Sequence, residues 1–565
     1  MPAQLIFTTN NGAITITGCS GNPTTVNIPA MTNGYPVTGI GKNAFLGKAS
    51  ITNVTLGVNI TNVADGAFES CRSLTGISLP DSVVMIGANA FGLCVELASI
   101  TIPDGVTNIG DDAFIFCNAL TNAIIGNSVT NIGNSVFSGD YALTSVTIGT
   151  NVVTIGTYAF SGCTPLSNVT IPNSVISIGT DAFNLDRGLT NVVMGNGVAY
   201  IGAESFGGCS QLSAIVIPDS ATNIGDSAFF DCSKLSRATI GSGFVIIGNS
   251  AFSGCTILTN VFFSGTNNVT SIGNGAFQSD YALTNFAVGD DVTNIGNAAF
   301  DSCSHLITGI TIPAGVASIG NNTFQLCTNL PTIAIPDSVI SIGSYAFQGD
   351  ENLYRVSLGT NLTNIGSNAF DHCLLLNVVD IPDSVTNIEA NAFSDCYFLD
   401  SLTLGKGVTS IGAEAFYFCQ FFSSVTIPAS VTNIGSEAFQ NCTALKGVYF
   451  ASNAPAADTS VFVNTAATVY YLPNTLGWGS NFGGDPTELW NPQAVNDAAF
   501  GVQTNQFGFN IVGGTNLVVV VQDCTNLVNP VWQPVTTNVL TAGTAYFSDP
   551  HWMGYLNRYY RFSSP

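Results

Sequence analysis

Cysteine offers the most chemistry in this 565-residue chain, and its spacing is regular. Thirteen of the 15 cysteines lie three residues after a phenylalanine: Cys71, Cys94, Cys117, Cys163, Cys209, Cys232, Cys255, Cys303, Cys327, Cys373, Cys396, Cys419 and Cys442. A zinc site would need several thiolates to converge on one point, whereas a residue used once per repeat forms a line, and no C-x-x-C pair is present. The spacing predicts a ladder of buried thiols that behave as small apolar side chains. Regular disulfides are not expected along a ladder with gaps, and an occasional disulfide between neighbours stays open.

The cysteine position of the repeat also accepts charged residues. It holds Asp140, Asp186, Asp280 and Asp350 in four repeats and Lys48 in the first. A carboxylate there predicts that the position lies near enough to a turn for the side chain to bond backbone amides or to reach water.

Histidines are the next candidates for catalysis or metal binding. The chain has three, His305, His372 and His551, which we interpret as surface residues. His372 beside Cys373, and His305 near Cys303, are neighbours in sequence rather than a nucleophile and a base brought together by a fold.

Carboxylates follow the prolines that end many strands. These are Asp81, Asp104, Asp219, Asp337 and Asp383. They would be ranked along one edge and bonded to turn amides, whereas a glycosidase needs two carboxylates across a cleft. No D-x-D-x-D-G calcium loop occurs, and weak calcium binding on the acidic edge stays an alternative. The sequence predicts no enzyme, no cofactor and no resident metal.

The elements that must position these residues repeat every 23 residues. Eighteen phenylalanines run from Phe45 to Phe439, and 15 of their 17 intervals are 23 residues. Self-similarity at this period predicts a stacked solenoid. The ladder includes Phe91, Phe114, Phe160, Phe229 and Phe370, each followed three residues later by a cysteine: Cys94, Cys117, Cys163, Cys232 and Cys373.

A single repeat indicates how each coil is built. Val169 and Ile171 alternate with the polar Asn168 and Thr170, which is typical of a strand with one buried face. Gly179 predicts a corner after a second, shorter strand. The Ala-Phe step that follows predicts one helical or 3₁₀ turn, too short to be stable alone, so its phenylalanine must point into the stack.

Changes of pattern divide the chain into four parts. We predict an N-terminal β cap at residues 1–40, the solenoid at 41–450, a C-terminal cap at 451–493 and a small all-β module at 494–565.

Composition limits the partners and the location. Charged residues are only 8% of the chain and the net charge is −24, so neither nucleic acid nor an anionic membrane surface is an expected partner. No apolar run reaches the ~18 residues of a membrane span, which predicts no membrane insertion. No secretory signal is visible after Met1, yet the acidic, lysine-poor surface predicts an extracellular or cell-surface location.

The repeat reads Leu-x-x-Val-Thr-Ile-Pro-x-Ser-Val-Thr-x-Ile-Gly-x-x-Ala-Phe-x-x-Cys and resembles the BspA-like, or Treponema pallidum-type, leucine-rich repeat; Leu212 to Cys232 matches it nearly throughout. The resemblance implies an α/β leucine-rich-repeat solenoid, a strand-dominated right-handed β-α superhelix of about 18 coils of 23 residues. It also implies a secreted or surface protein, typically bacterial, that binds host or matrix proteins, and it supplies no catalytic residues. The C-terminal module is loosely similar to the tails of secreted repeat proteins from Verrucomicrobia.

Binding is the function that the sequence favours, through strand residues that face outward. Most of these are small and uncharged, but Val193, Val216 and Phe262 form an apolar run that is a candidate binding patch. The alternative is that a β-branched residue simply favours a strand. The expected partner is a protein or polysaccharide ligand in an adhesin-like role. Two further alternatives are a structural surface-layer or filament component that self-associates through its caps or C-terminal module, and carbohydrate or flat-lattice binding by the Thr-rich face.

Overall fold

The structure, a computed structural model, describes residues 4–243, 245–265, 268–307, 310–555 and 557–564. The chain divides into two compact units, Met1–Gly315 (unit 1) and Val316–Pro565 (unit 2). Each unit contains a strand-dominated parallel β-solenoid, which confirms the predicted leucine-rich-repeat fold class. A coil consists of a strand of three or four residues (the A strand), a turn, a two-residue strand (the B strand) and a run of turns.

Unit 1 begins with a hairpin and continues in parallel coils. Leu5–Asn10 pairs antiparallel with Ala13–Cys19, and Met31–Thr32 with Tyr35–Ile40. The A strands are Thr25–Asn27, Asn53–Thr55, Gly76–Ser78, Ser99–Ile102, Asn122–Ile125, Ser145–Thr147, Asn168–Thr170, Asn191–Val193, Ala214–Val216, Arg237–Ile240 and Asn260–Phe263. The B strands, which continue from Tyr35–Ile40, are Asn62–Val63, Met85–Ile86, Asn108–Ile109, Asn131–Ile132, Thr154–Ile155, Ser177–Ile178, Tyr200–Ile201, Asn223–Ile224, Ile246–Ile247, Ser271–Ile272 and Asn294–Ile295.

Unit 2 repeats this plan and ends in an antiparallel module. Its A strands are Thr332–Ala334, Arg355–Ser357, Val378–Asp380, Ser401–Thr403, Ser424–Ile427, Gly447–Phe450 and Thr468–Tyr471. Its B strands are Ser318–Ile319, Ser341–Ile342, Asn364–Ile365, Asn387–Ile388, Ser410–Ile411 and Asn433–Ile434. Asp485–Leu489 pairs parallel with Thr468–Tyr471 and antiparallel with Asn481–Phe482. The module contains Gln493–Val495, Gly501–Gln503, Gln506–Val512, Leu517–Cys524, Gln533–Leu540, Thr544–Asp549, the 3₁₀ helix Trp552–Gly554, and Tyr559–Ser563.

Runs of turns, rather than the predicted helical or 3₁₀ turn, join each B strand to the next A strand. Two residues of each run take a left-handed conformation, as Asp181 (φ 54°) and Leu185 (φ 61°) do around Phe183. Left-handed residues interrupt a right-handed helix. The amides are paired in another way: Phe183 donates to the Ser205 carbonyl one coil on (2.8 Å), and Asn184 donates back within its own coil. Among the described residues, no helix has the length and apolar character needed to cross a bilayer.

The corner glycines are explained by close packing of the backbone. Gly179 has no left-handed φ, but a Cβ added there would lie 2.6 Å from the carbonyl carbon of Gly156 and the nitrogen of Thr157 on the preceding coil. Glycine is therefore not needed at this corner for its backbone angles. Its missing side chain lets consecutive coils approach each other.

The phenylalanines form stacked columns in the core. Phe91, Phe114, Phe160, Phe229 and Phe370 are all fully buried. Neighbouring rings lie nearly parallel, with centroids 5.2 Å apart from Phe91 to Phe114 and 5.0 Å apart from Phe347 to Phe370. In unit 2 the column continues beyond Phe439 to Phe462, with the two centroids 5.6 Å apart. The order of these columns indicates that each coil is held in register by its neighbours.

The 13 cysteines of the ladder lie beside the phenylalanine columns as buried thiols outside any disulfide. The Sγ atoms donate hydrogen bonds, 3.1–3.3 Å long, to the phenylalanine carbonyl oxygen 26 residues earlier in the sequence. This bond is made by Cys71, Cys94, Cys117, Cys163, Cys209, Cys232, Cys255, Cys303, Cys373, Cys396, Cys419 and Cys442. Burial raises the pKa of Cys71 to about 12 and that of Cys163 well above its ordinary value. These thiols remain protonated at neutral pH, so they satisfy backbone carbonyls and do not act as nucleophiles.

The carboxyls that replace cysteine are also fully buried. Asp140, Asp186, Asp280 and Asp350 have no exposed surface, so the expectation that this position can reach water is wrong. Asp140 accepts a hydrogen bond of 2.7 Å from the backbone N–H of Cys117, as expected for a position near a turn. Burial raises the pKa of all four carboxyls well above the ordinary value, and a backbone amide one coil earlier moderates the increase.

Two adjacent phenylalanines allow a matched test of the core column. We expect Phe229→Ala to lower the free energy of unfolding by about 3–5 kcal/mol, because it leaves a cavity between stacked rings. Phe230 is 41% exposed, so Phe230→Ala should cost about 1 kcal/mol or less. Urea unfolding of the two variants and the wild type, followed by circular dichroism, measures both losses. Equal losses would contradict the assigned role of the column.

The buried carboxyls predict a stability that declines with increasing pH. Their raised pKa keeps them protonated in the folded chain, while the unfolded chain loses these protons above about pH 4, so each carboxyl contributes stability at acid pH that is lost as the pH rises. We expect Asp186→Cys, which restores the usual residue of the repeat, to reduce the fall in unfolding free energy between pH 5 and pH 8. Per pH unit, the unfolding free energy of the wild type should fall by up to about 1.4 kcal/mol more than that of Asp186→Cys. Asp104→Asn, on an exposed turn, is the control. An unfolding free energy that falls as steeply with pH in Asp186→Cys as in the wild type would refute the prediction.

Candidate binding face

The A strands build a regular outward surface, which we name the A face. Along Asn191–Val193 the central Val192 is buried while its two neighbours are exposed, because side chains alternate across a strand. The position held by Val193 is exposed in 15 of the 18 coils of the predicted ladder. The three exceptions are Thr239 and Thr426, which are half-buried, and Tyr449, which is buried.

The sequence-predicted patch lies on the A face of unit 1. Val193, Val216 and Phe262 are 50%, 61% and 42% exposed. Val216 is in register with Thr239, and Thr239 with Phe262, so these three residues occupy successive coils. Val193 holds the same position on the adjacent strand. The structure therefore places all three predicted residues in one column of four coils, with Thr239 separating Phe262 from the two valines.

Arg237 is a member of this surface that the sequence reasoning missed. Its guanidinium carbon lies 4.5 Å from the centroid of the Phe262 ring, which is the geometry of a cation–π contact. Arg237 is in register with Asn260, so it reaches the ring diagonally across neighbouring strands. Its signal in the sequence was its rarity, since the chain has only 11 lysines and arginines. The contact holds the aromatic ring on the surface and adds a positive charge to an apolar patch.

A shallow groove of about 640 Å³ runs beside the patch. Its lining includes Thr147, Thr170, Val193 and Met194. The groove combines threonine hydroxyls with apolar side chains, so it can contact both polar and apolar groups of a partner.

In unit 2 the C-terminal module covers the A face only at the last A strands, while Ala334, Ser357, Asp380 and Thr403 stay exposed. Tyr449 and Tyr470, on neighbouring A strands, stack with centroids 5.0 Å apart and are each 3% exposed. They form one apolar cluster with module residues that include Phe509, Ile511 and Leu517. Thr426 Oγ1 also lies 3.0 Å from the Ser564 hydroxyl. The outward position of an A strand can thus be buried by a β module when it carries an aromatic residue.

The neighbouring cysteine and histidine do not form a catalytic pair. Cys373 Sγ donates to the Phe347 carbonyl oxygen at 3.2 Å. His372 Nδ1 instead lies 2.7 Å from Asp371 Oδ1. The buried thiol and the exposed imidazole therefore have separate partners.

Comparison with one solved structure supports the fold, and two others are similar in sequence. A leucine-rich repeat protein from Bacteroides ovatus is 29% identical, with a TM-score of 0.54, and the match covers 68% of this chain and 94% of that one. The Treponema pallidum leucine-rich repeat protein is 28% identical (TM-score 0.29; 37% of this chain, 87% of that one). A leucine rich cell surface protein from Faecalibacterium prausnitzii is 24% identical (TM-score 0.27; 80% and 93%). No protein with a curated function is significantly similar to this chain.

The repeats themselves match a family profile described as the BspA type leucine rich repeat region. Six copies match, over residues 24–144, 132–259, 177–307, 304–396 and 363–478. These ranges cover most of the 565 residues and include every A strand of the predicted patch. The chain therefore belongs to the BspA type leucine-rich repeat family.

Proposed function

We propose that this chain is a non-enzymatic binding solenoid at the cell surface or outside the cell, which attaches to a protein or matrix partner through the A face of unit 1. The contact centres on Val193, Val216, Arg237 and Phe262. The observation that carries the proposal is Tyr449: this residue holds the outward position of its own coil and is buried against a folded β module. An apolar residue at the same position of unit 1 offers a partner the same kind of surface.

The chemistry of the patch favours a protein partner over a flat polysaccharide lattice. Arginine and aromatic residues contribute most of the binding energy at many protein interfaces, and Arg237 over Phe262 supplies both in one contact. A crystalline lattice would require the same side chain on successive coils, whereas Thr239 and Phe262 are neighbours in register. The net charge of −24 over the whole chain favours partners that are not themselves strongly acidic.

The family and the composition support a surface location. Proteins built from these repeats include one described as a cell surface protein, and few lysines and many uncharged polar residues suit an exposed, extracellular solenoid.

The patch can be removed without disturbing the strands. We expect the triple variant Val193→Thr, Val216→Thr and Phe262→Thr to bind its partner at least about tenfold more weakly, because threonine is the common outward residue and keeps the strand propensity. Binding of the full chain is measured by biolayer interferometry against immobilised collagen, laminin and fibronectin, and against cellulose and chitin. The matched control is Val84→Thr, Val153→Thr and Ile176→Thr, three exposed residues that precede B strands.

The outcomes separate the proposed function from its alternatives. Loss of protein binding in the first variant alone supports an adhesin that uses the A face. Equal binding by the two variants would exclude the patch as the binding site. Binding only to cellulose or chitin would favour the carbohydrate alternative, and concentration-dependent assembly in sedimentation, with no ligand bound, would favour a structural filament.

A further inference from the structure

The geometry points to a binding site for a divalent transition metal ion in unit 2, with His372 and Asp395 as ligands and Asp371 as the residue that orients the histidine. The three side chains come from two successive coils. One ligand atom from each lies within 4.8 Å of the others. The site is separate from the proposed binding patch and does not depend on it.

The backbone fixes the two ligands relative to each other. His372 and Asp395 hold the same position on consecutive coils, and both adopt the left-handed conformation, with φ of 58° and 56°. The His372 N–H donates to the Ser394 carbonyl oxygen at 2.9 Å, directly before Asp395. A site whose ligands are 23 residues apart in sequence is therefore held together by one hydrogen bond between coils.

Asp371 determines which imidazole nitrogen is available. Its Oδ1 lies 2.7 Å from His372 Nδ1, and because a carboxylate only accepts, Nδ1 carries the proton. Gln348 Nε2 donates to the other oxygen of Asp371 at 2.8 Å, and the carboxylate side chain is only 8% exposed. A buried carboxylate bonded to one ring nitrogen is the usual support of a metal-binding histidine, because it leaves the lone pair of the other nitrogen for the ion.

The available nitrogen faces the second ligand. His372 Nε2 lies 4.0 Å from Asp395 Oδ2, and the Ser394 hydroxyl donates to that same oxygen at 3.1 Å. Zinc with bonds of about 2.0–2.2 Å would hold two tetrahedral ligands about 3.4 Å apart. The gap needs to close by about 0.6 Å, and the His372 side chain, 58% exposed, is free to make that movement. Water would complete the coordination of an ion at this exposed place.

The donor atoms select the type of ion. Imidazole together with carboxylate suits zinc, nickel and copper, whereas calcium prefers oxygen ligands alone. The cysteines do not compete, because all 15 are buried. His305 provides a comparison within the chain: its Nδ1 lies 2.7 Å from the Tyr281 carbonyl oxygen, and it belongs to no group of metal-ligating residues among the described ones.

Equilibrium dialysis of the full chain against Zn²⁺ tests the site. We expect one zinc ion that His372→Gln or Asp395→Asn weakens at least tenfold and that the control His305→Gln leaves unchanged. Asp371→Asn should weaken zinc binding about 10- to 100-fold, as loss of an orienting carboxylate does, at an unchanged unfolding midpoint without zinc. A purely structural role of Asp371 would move that midpoint and leave zinc affinity alone.

Two results of the zinc experiment would overturn the inference. Zinc binding that is absent from the wild type, or that is the same in the wild type and in His372→Gln, excludes this site. The same dialysis with Ca²⁺ in place of Zn²⁺ is a second test of the site. Calcium binding that depends on His372 would contradict a site selected by its imidazole nitrogen.

Discussion

Within each unit, equivalent residues of successive coils lie about 5 Å apart in the paired strands and the phenylalanine columns, and this spacing constrains the sequence. It suits phenylalanine, since rings 5.2 Å apart stack as Phe91 and Phe114 do. It penalises like charges, which repel strongly at this separation. The chain accordingly has only 8% charged residues. Where carboxylates do recur, they bond the amide of the next coil: Asp104 accepts from Asn127 at 2.7 Å, and Asp337 accepts from the Thr360 N–H, which lowers the pKa of that carboxyl.

The columns inside the coils were predictable from sequence because they follow one fixed period. The phenylalanine ladder, the buried cysteines and the alternating A strands all follow from spacing alone. The runs of turns could not be predicted from spacing, since they depend on backbone amides that donate alternately to the next coil and to their own, as those of Phe183 and Asn184 do. The corner glycine was predicted from the sequence, but the close packing that requires it was not. Glycine is needed there because the backbone of the coil 23 residues earlier lies too close for a side chain, and local propensity gives no information on that contact.

The candidate sites were harder to predict because each joins residues on two different coils. The valines of the patch stood out as breaks in a threonine column, but Arg237 reaches Phe262 diagonally and belongs to a different column. His372 looked like a surface residue beside a cysteine, and only the stacking of coils brings it to Asp395. In both cases the relevant neighbour lies on the next coil, which a search along the sequence does not examine: Asp395 is 23 residues after His372, and Phe262 is 25 residues after Arg237.

Departures from the repeat therefore divide into two kinds, and burial distinguishes them. Asp140 departs from the cysteine column where no ligand can reach it, so its consequence is confined to stability, through a carboxyl kept protonated by burial. Phe262 and His372 depart from their columns on the surface, where a partner or an ion can use the change. Tyr449 connects the two kinds: it holds an outward position yet is buried, because the chain supplies its own partner there. A solenoid whose interior must repeat can vary most freely on its outward columns, so its specificity is carried by the few exposed residues that differ from their counterparts on neighbouring coils.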